Sequence, residues 1–458
     1  MMHLARRELG GPTKYPVEVG PERRPWFEVG AFASLLVIAL GCRLLAGPRN
    51  AVMGLDLADW QQWSRDLLTG DWRHFYAASG SDYLPGYLYV LWALGHVQQA
   101  FNHAPDAIQG WLPSTTVLFK LPAMIADLVT VAVIYGAGRR WAPSSAAYLA
   151  ALSYAVNPGV IYNSTVWGQV DSVPALFMVL ALVLLLESRP GPSGVSLALS
   201  ALCKPTALVI LPLCLFILCY HRRRWRDLFY FGGTGLATSI LVFFPFIPSD
   251  TNPLTFVHHV FTVTSGRYPF LTINAFNLWV LVQGKLGFLS DANLVLGVRY
   301  AALGWAMLAT LSVVAGLLLA LRLRRFPGEE VKTVLAVGSI LMLGFFVLLT
   351  RMHERHLLPA LPLLALTSAV WPRYWLPYCW LSAAYFLNVW YAYYVLLPPF
   401  AHELGSAAIL GISLLNVAML GLLVAFLWPA SRHPARGSAL VRRLAAWWSS
   451  RASTGSAG

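Results

Sequence analysis

The sequence predicts an all-α polytopic membrane protein, and two observations lead to that fold class. Hydrophobic residues make up 57 % of the 458 positions and charged residues only 12 %, which is about half of the charged share of an ordinary soluble domain. The apolar residues also fall into long runs, with the arginines and lysines in short clusters between them. Runs of this kind enter a bilayer as helices, because a helix satisfies its backbone hydrogen bonds internally.

The net charge of +13 does not indicate a nucleic-acid partner, because the cations follow the loops between the apolar runs. Basic residues concentrated in cytoplasmic loops are typical of membrane proteins. The five cysteines lie in or beside apolar segments without any Cys-x-x-Cys spacing. We therefore expect buried thiols, and neither a disulfide framework nor a metal site.

The apolar runs predict about twelve transmembrane helices between residues 27 and 428. The predicted crossings are 27–46, 118–137, 145–163, 172–187, 191–203, 206–220, 228–247, 296–321, 332–350, 357–371, 375–396 and 405–428. Residues 1–26 form a preceding cytoplasmic segment, and residues 429–458 form a basic cytoplasmic tail. We expect no soluble domain.

Charge supports this topology. With the N-terminus in the cytoplasm, the basic clusters fall inside, and the two large loops, 47–117 and 248–295, fall outside. The first outer loop is acidic, with six aspartates against three arginines. This distribution is the one that an outer loop should have.

Two segments need a separate interpretation. Residues 83–101 are apolar enough to suggest a crossing, but counting them would move the arginine pair 139–140 outside. We interpret them as a juxtamembrane or re-entrant helix of the first outer loop. Lys204 and Pro205 interrupt the run 194–220, where proline breaks a helix and a central lysine is costly. We expect two short helices that meet near the outer face and expose Lys204 to a cavity.

The densest polar cluster is Arg-Met-His-Glu-Arg-His at 351–356, between two apolar runs. A charge at bilayer depth costs roughly 2.5–3.5 kcal/mol, so this cluster must lie at a membrane boundary or in a polar cavity. The predicted topology brings it to the outer face with other unusual polar or aromatic residues. These are Asp56, Asp59, Asp82, Tyr83, Trp167, Gln169, Asp171, Lys204, Arg267, Asn274 and Asn277. Such convergence predicts a catalytic or binding cavity.

Most of these residues also have a purely structural interpretation. Asp56 could cap a surface helix, and Asp82 could begin the next one. Trp167 could belong to the aromatic belt at the membrane interface, and Lys204 could extend to that interface without a function. The 351–356 cluster is the hardest to explain in this way, because the other loops predicted outside contain few cations.

Six motifs follow one another between about residues 27 and 360. They are Asp56 with Trp63 seven positions later, Asp82-Tyr83-Leu84-Pro85, Trp167-Gly168-Gln169 with Asp171, Lys204, Asn277-Leu278-Trp279, and His353-Glu354-Arg355. In this order they resemble the GT-C superfamily of glycosyltransferases that use polyprenyl-phosphate sugars. The likeness is closest to the dolichyl-phosphate-glucose α-glucosyltransferases of lipid-linked oligosaccharide assembly and their bacterial relatives. Leu84 and Arg355 replace a proline and a lysine of the family motifs.

The resemblance implies a GT-C type helical bundle with juxtamembrane helices in the first outer loop. Asp56 would be the catalytic general base, acting on the acceptor hydroxyl. The donor phosphate would be bound by His353, Arg355, Arg351 and Lys204. The substrate-binding residues would be Asp82, Tyr83, Trp63, Trp167, Gln169, Asp171, Arg267 and Asn277.

The expected function is an integral-membrane hexosyltransferase, mannosyl- or glucosyl-, acting at the extracytoplasmic face of the cell membrane. Its partners would be a polyprenyl-phosphate-sugar donor, a lipid-linked or cell-envelope acceptor, and membrane lipids. No cofactor is expected, and a single displacement would invert the anomeric centre. Two alternatives stay open: a transporter or flippase that uses the same cavity, and a polyprenyl-diphosphate-dependent ligase or polymerase. Transporters tend to have inverted repeats, and the sequence has no visible repeat.

Overall fold

The computed structural model describes residues 25–47, 54–395 and 404–429. Nearly all of the predicted cytoplasmic segment 1–26 and of the basic tail 429–458 lies outside these ranges. The structure is 79 % helical, and the described strands form only two pairs. The predicted helical class is therefore confirmed.

The helices follow one another in a long series, interrupted by short 3-10 or π turns. They are α1 (Pro25–Leu45), α2 (Gly54–Thr69), α3 (Phe75–Ser79), α4 (Pro85–Asn102), α5 (Asp106–Gln109), α6 (Thr115–Trp141), α7 (Ser144–Ala155), α8 (Pro158–Ile161), α9 (Ser172–Leu186), α10 (Pro190–Cys203), α11 (Leu211–Phe216), α12 (Trp225–Phe243), α13 (Pro253–Gly266), α14 (Leu278–Gln283), α15 (Tyr300–Arg325), α16 (Glu330–Leu348), α17 (Ala360–Val370), α18 (Trp375–Val395) and α19 (Ser406–Leu427). The strands are β1 (Thr272–Ile273), β2 (Leu294–Val295), β3 (Val298–Arg299) and β4 (Met352–His353). Parallel β1 and β4 join the second large loop to the polar cluster.

Seven helical stretches among the described residues are long and apolar enough to cross a membrane, as in a multi-pass membrane protein. They are Glu28–Leu45, Thr115–Trp141, Pro205–Arg222, Trp225–Phe246, Tyr300–Arg325, Glu330–Leu348 and Ser406–Leu427. Other predicted crossings coincide with shorter helices, such as α7 with 12 residues and α17 with 11. At about 1.5 Å per residue, neither helix alone spans a hydrocarbon core of about 30 Å. The number of about twelve crossings is not confirmed and stays a prediction.

The interruption predicted at Lys204 is confirmed. α10 ends at Cys203, Lys204 is extended with φ −147° and ψ 133°, and a 3-10 turn covers Pro205–Ile210. Proline disfavours the helical conformation in the residue before it, so the chain leaves the helix at Lys204. The following stretch then carries the chain to Arg222 at the other end of the bundle.

α4 occupies the segment predicted as a juxtamembrane helix, and it is not among the seven apolar stretches. It packs against α2, where the Ser64 hydroxyl donates to the carbonyl of Leu91 at 2.8 Å. It also packs closely against the end of α10, since a Cβ on Gly86 would lie 2.7 Å from the Leu202 backbone. Glycine permits this approach, which brings the first large loop next to Lys204. The place of α4 relative to the membrane stays a prediction.

A buried ion pair holds the first helices together. Arg43 of α1 donates to Asp127 of α6 at 2.8 Å, and both side chains are fully buried. Arg43 also donates to the carbonyls of Ala39 and Ala155, which connects α1 to the end of α7. Because buried charges require such compensation, the pair accounts for Asp127 in an apolar helix without a catalytic role.

Candidate active site

Four chain segments that are distant in sequence meet at one end of the bundle. They are the first turn of α2, the turn between α8 and α9, the end of α10, and the polar cluster after α16. Three contacts define the meeting point: Gln169 to Asp56, Lys204 to Asp171, and Arg355 to Asp171. We call these five side chains, together with Glu354, the central cluster.

Asp56 and Gln169 form the first contact. The Gln169 side-chain amide donates to Asp56 Oδ2 at 2.7 Å, while Asp56 lies in the first turn of α2. The preceding turn presents Gln169, because the backbone N–H groups of Gly168 and Gln169 both donate to the carbonyl of Asn163. Gly168 has φ +89°, and a Cβ there would lie 2.9 Å from Lys120 Cγ. Glycine is thus required at this turn both for its conformation and for its lack of a side chain.

Asp171 is the centre of the charge network. Its Oδ1 accepts from Lys204 Nζ at 2.6 Å, and its Oδ2 lies 3.7 Å from Arg355 Nε. Burial would raise the pKa of the Asp171 carboxyl, but the charges of Lys204 and Arg355 outweigh that effect and lower it. Burial lowers the pKa of Lys204, and Asp171 opposes this shift. Each group therefore depends on the other to remain charged.

Arg355 lies between two carboxylates of the central cluster, Asp171 and Glu354. Its Nη1 donates to Glu354 Oε1 at 2.9 Å, whereas its buried Nε has no hydrogen-bond partner among the described residues. Burial acts to lower the pKa of Arg355, but Glu354, Asp171 and Asp56 together raise it, so it remains a cation. A fixed cation with an unused buried donor can accept an anionic ligand.

The two histidines of the polar cluster are in contact. The backbone N–H of His353 donates to His356 Nδ1 at 3.3 Å, and their ring centroids lie 5.2 Å apart. Burial and the neighbouring Arg355 lower the pKa of His353 well below its usual value. Burial, together with Lys204, lowers the pKa of His356 to about 3. At neutral pH both rings are therefore neutral, and His353 can bind phosphate only as a neutral donor.

We expect the melting temperature to fall as the pH is lowered from 7 to 5. The folded pKa values of both histidines lie below the unfolded value of about 6.5, so the unfolded chain binds more protons in this window and stability rises with pH. Each histidine can contribute about 1.4 kcal/mol per pH unit. His356→Asn keeps an acceptor for the backbone of His353 and should flatten the pH dependence in thermal unfolding.

Glu354 is present in both proteins of that comparison. Burial raises the pKa of its carboxyl, so it acts in the opposite direction, favouring the fold at lower pH. The difference between the two proteins therefore isolates the contribution of His356. An equally steep pH dependence in His356→Asn would contradict a neutral His356 in the folded protein.

A cluster of aromatic side chains lies beside Asp56. Tyr83 lies at its centre, with ring centroids 5.2 Å from Trp63, 5.8 Å from Tyr87 and 6.5 Å from Trp60. Burial raises the pKa of the Tyr83 hydroxyl, and the charge of Asp56 adds to the shift. The predicted residues Tyr83 and Trp63 thus form one wall beside Asp56.

Asp82 and Arg267 form a second, more exposed pair. Their side chains approach to 3.3 Å, and the arginine is 45 % exposed. Asp59 lies nearby, where burial and the charges of Asp56 and Asp82 raise its pKa. The predicted substrate residues Asp82 and Arg267 therefore lie together, next to the region that contains Asp56.

Three predicted residues are not brought to the central cluster. All three side-chain nitrogens of Arg351 donate, two of them to Asp291 and one to the carbonyl of Ser265. Trp167 is fully buried against Tyr393. Asn277 caps α14 and donates to the carbonyl of Phe346. In this conformation these side chains hold the loops around the cluster, and their roles in ligand binding stay predictions.

The sequence did not identify Glu354 and Asp291 as counter-ions, or Lys120 as a residue that supports the site. The Lys120 ammonium group donates to the carbonyl of Val166 at 2.8 Å, beneath the turn that presents Gln169. Lys120 could have been recognised from the sequence, because it is a charged residue within a predicted crossing. Asp291 had no such signal, and Glu354 belongs to the polar cluster at 351–356 without any indication there that it pairs with Arg355. Over the described ranges, no group of three or more His, Cys, Asp or Glu residues could hold a metal ion.

The sequence model of one protein family, glycosyltransferase family 87, matches residues 101–350, which is more than half of the chain. The matched range contains Gln169, Asp171 and Lys204, lies after Asp56, and ends immediately before the polar cluster. No curated protein matches the chain.

Proposed function

The chain belongs to glycosyltransferase family 87, a family of GT-C-type membrane glycosyltransferases, and on this premise we propose its donor, acceptor and mechanism. The donor is a hexose on polyprenyl phosphate. The acceptor is a lipid-linked or cell-envelope glycan at the extracytoplasmic face of the cell membrane. One observation carries the proposal: Asp56, held by Gln169, lies within electrostatic reach of Lys204 and Arg355.

Asp56 is the general base. Gln169 holds its Oδ2, and Oδ1 has no hydrogen-bond partner in the described part of the chain, so Oδ1 can accept the proton of an acceptor hydroxyl. That hydroxyl oxygen bonds to the anomeric carbon while the bond from this carbon to the phosphate oxygen breaks. The oxygen attacks from the side opposite the phosphate, so the configuration inverts. Such base assistance typically contributes about 10²–10⁴-fold.

Lys204 and Arg355 act on the leaving phosphate. When the bond between the sugar and the phosphate breaks, the phosphate gains a second negative charge. Preorganised cations stabilise that charge most effectively. Asp171 and Glu354 now balance these cations. The unused Arg355 Nε offers the phosphate a donor without breaking an existing hydrogen bond. His353 can contribute a neutral donor beside it.

An apolar groove supports a lipid-linked donor. It has a volume of about 610 Å³ and lies between α10, α12 and α13, with Leu197, Ala201, Leu202, Phe243 and Val257 among its lining residues. Leu202 is two residues before Lys204, so the groove ends close to the central cluster. A polyprenyl tail in the groove would therefore place its phosphate near Lys204 and Arg355.

We expect Ser239→Trp to impair use of long-chain donors. Ser239 lines the groove on α12, and an indole there would occupy space needed by the tail. The KM for a long polyprenyl donor should rise about tenfold, whereas a donor with a short chain should be affected little. Ala237→Trp is the matched control, because Ala237 is exposed on α12 and does not line the groove. Equal effects of Ser239→Trp on both donors would contradict the assignment.

We expect Gln169→Leu to lower kcat about tenfold with little change in the donor KM. Leucine preserves the bulk of the side chain but cannot donate to Asp56, so the base loses its orientation while the cations that would bind the phosphate remain. Gln169→Asn has a shorter amide side chain, and its kcat should lie between those of Gln169→Leu and wild type. An unchanged kcat in Gln169→Leu would show that the hydrogen bond has no role in turnover.

The function is tested with the purified full-length protein, short-chain polyprenyl-phosphate sugars and lipid acceptors. Transfer is measured as radiolabelled glycolipid, with mannose and glucose donors in parallel. Transfer that depends on Asp56 supports the proposal. Movement of the lipid-linked sugar across a liposome membrane without transfer would instead support a transporter or flippase.

A further inference from the structure

A polar pocket, separate from the apolar groove, lies at the C-terminal end of α15. It has a volume of about 330 Å³ and is lined by Tyr220, His221, Arg223, Ala320, Leu323 and Arg324. These residues come from the end of the Pro205–Arg222 stretch, from Arg223 immediately after it, and from the last turns of α15. That stretch and α15 are both long and apolar enough to cross a membrane, so the pocket lies at a membrane boundary.

This pocket is on the face opposite the candidate active site. α15 begins at Tyr300, whose backbone N–H donates to the carbonyl of Asn293. Asn293 is two residues after Asp291, which pairs with Arg351, so α15 begins near the polar cluster. The 26 residues of α15 then extend for about 39 Å. Arg324 is in the last turn, so the pocket lies about the length of α15 away from Arg351 and the polar cluster at 351–356.

Two arginines in the pocket have no carboxylate partner within the residues that the structure describes. Arg223 and Arg324 each lie 5.7 Å from the centre of the Tyr220 ring, and Arg324 also donates to its hydroxyl. Neither arginine forms an ion pair with a carboxylate in the described part of the chain. In contrast, the neighbouring Arg222 pairs with Glu330 and Arg322 pairs with Glu329. Two like charges on one ring create a site that attracts an anion.

The backbone at Arg223 adds to this argument. It has φ +51°, a left-handed conformation that glycine adopts readily and that strains a residue with a side chain. Glycine would relieve this strain. Arginine supplies here a charge and one hydrogen bond, which its Nε donates to the Tyr220 carbonyl at 3.2 Å.

We propose that this pocket binds the phosphate group of an anionic phospholipid in the leaflet opposite the active site. The surface below the pocket favours a lipid over free phosphate. Leu321 and Leu317 precede Arg324 by one and two turns, on the same face of α15, and both are exposed. They can cover the acyl chains of a lipid whose phosphate contacts the arginines, as basic pockets between transmembrane helices do elsewhere. This inference does not depend on the proposed glycosyl transfer.

The test compares lipid retention by purified full-length protein in detergent with equal amounts of phosphatidylglycerol and phosphatidylcholine. Native mass spectrometry counts the lipids that remain bound. We expect wild type to retain phosphatidylglycerol preferentially, and Arg324→Gln and Arg223→Gly each to reduce this retention about fivefold. Arg226→Gln should leave it unchanged, because Arg226 lies over Tyr230 and outside the pocket.

Arg223→Gly separates charge from folding. It removes the cation and the hydrogen bond from Arg223 Nε to the Tyr220 carbonyl, but it relieves the backbone strain. Its melting temperature should therefore stay close to that of wild type, while its phosphatidylglycerol retention falls. Millimolar inorganic phosphate should not displace the lipid, because it offers no chains to α15. Displacement at that concentration, or full retention of the lipid in Arg324→Gln, would overturn the proposal.

Discussion

Asp56→Asn should reduce kcat by about 10²–10⁴-fold while leaving donor binding nearly unchanged. The asparagine oxygen can still accept the hydrogen bond from Gln169, so the local structure should persist. What disappears is the carboxylate that takes the proton of the acceptor hydroxyl. The measurement is steady-state transfer from a short-chain polyprenyl-phosphate sugar, with donor affinity determined separately by titration.

Asp59→Asn is the matched control for this experiment. Asp59 lies three residues further along α2 and is more exposed than Asp56. It lacks the hydrogen bond to Gln169, and its carboxyl pKa is raised by burial and by the charges of Asp56 and Asp82. Asp59→Asn should therefore retain most of the activity. If Asp56→Asn kept full turnover and Asp59→Asn lost it, the base would be Asp59.

Asp171→Asn should have the largest effect on stability, lowering the free energy of unfolding by about 3–5 kcal/mol. The carboxylate is almost completely buried between Lys204 and Arg355. Its removal leaves Lys204 without its carboxylate partner, and Glu354 alone then balances Arg355. Transfer activity should also fall, because Lys204 would then lose its proton more readily. Unfolding in mixed micelles, followed by circular dichroism, measures the change.

Two further variants interpret that result. Asp82→Asn removes the carboxylate of a partly exposed pair, where water screens the charges, and should cost at most about 1 kcal/mol. Lys204→Met combined with Asp171→Asn should be less destabilised than the sum of the single changes, because the two groups interact directly. A loss below about 1 kcal/mol in Asp171→Asn would contradict the network as a stabilising element.

Local sequence patterns predicted much of the fold. The apolar runs identified helices, and the proline at 205 identified the interruption after α10, because both depend on neighbouring residues alone. The predicted number of crossings is not confirmed, since apolar composition does not distinguish a spanning helix from a shorter buried one. α17 is an example, with eleven residues that are nearly all buried inside the bundle.

For the candidate site, too, the sequence identified the residues but not all of their partners. Asp56, Gln169, Asp171, Lys204 and Arg355 were identified as unusual polar residues in or beside apolar segments, and the structure brings them together. Arg351 was grouped with Arg355 because the two are close in sequence. The structure separates them, since Arg351 turns to Asp291 and Arg355 turns to Asp171. Neighbouring positions on an irregular turn point in different directions, which spacing alone cannot predict.

By itself, the sequence determined the helical membrane class and the segments that contain charged groups, because the energetic penalty of a charge in an apolar run is a local property. Only the tertiary structure decided which of those groups are partners. Asp56 and Gln169 are 113 residues apart, and Lys204 and Asp171 are 33 apart. Such contacts depend on how distant helices pack, and close approaches such as that of Gly86 to Leu202 set that packing.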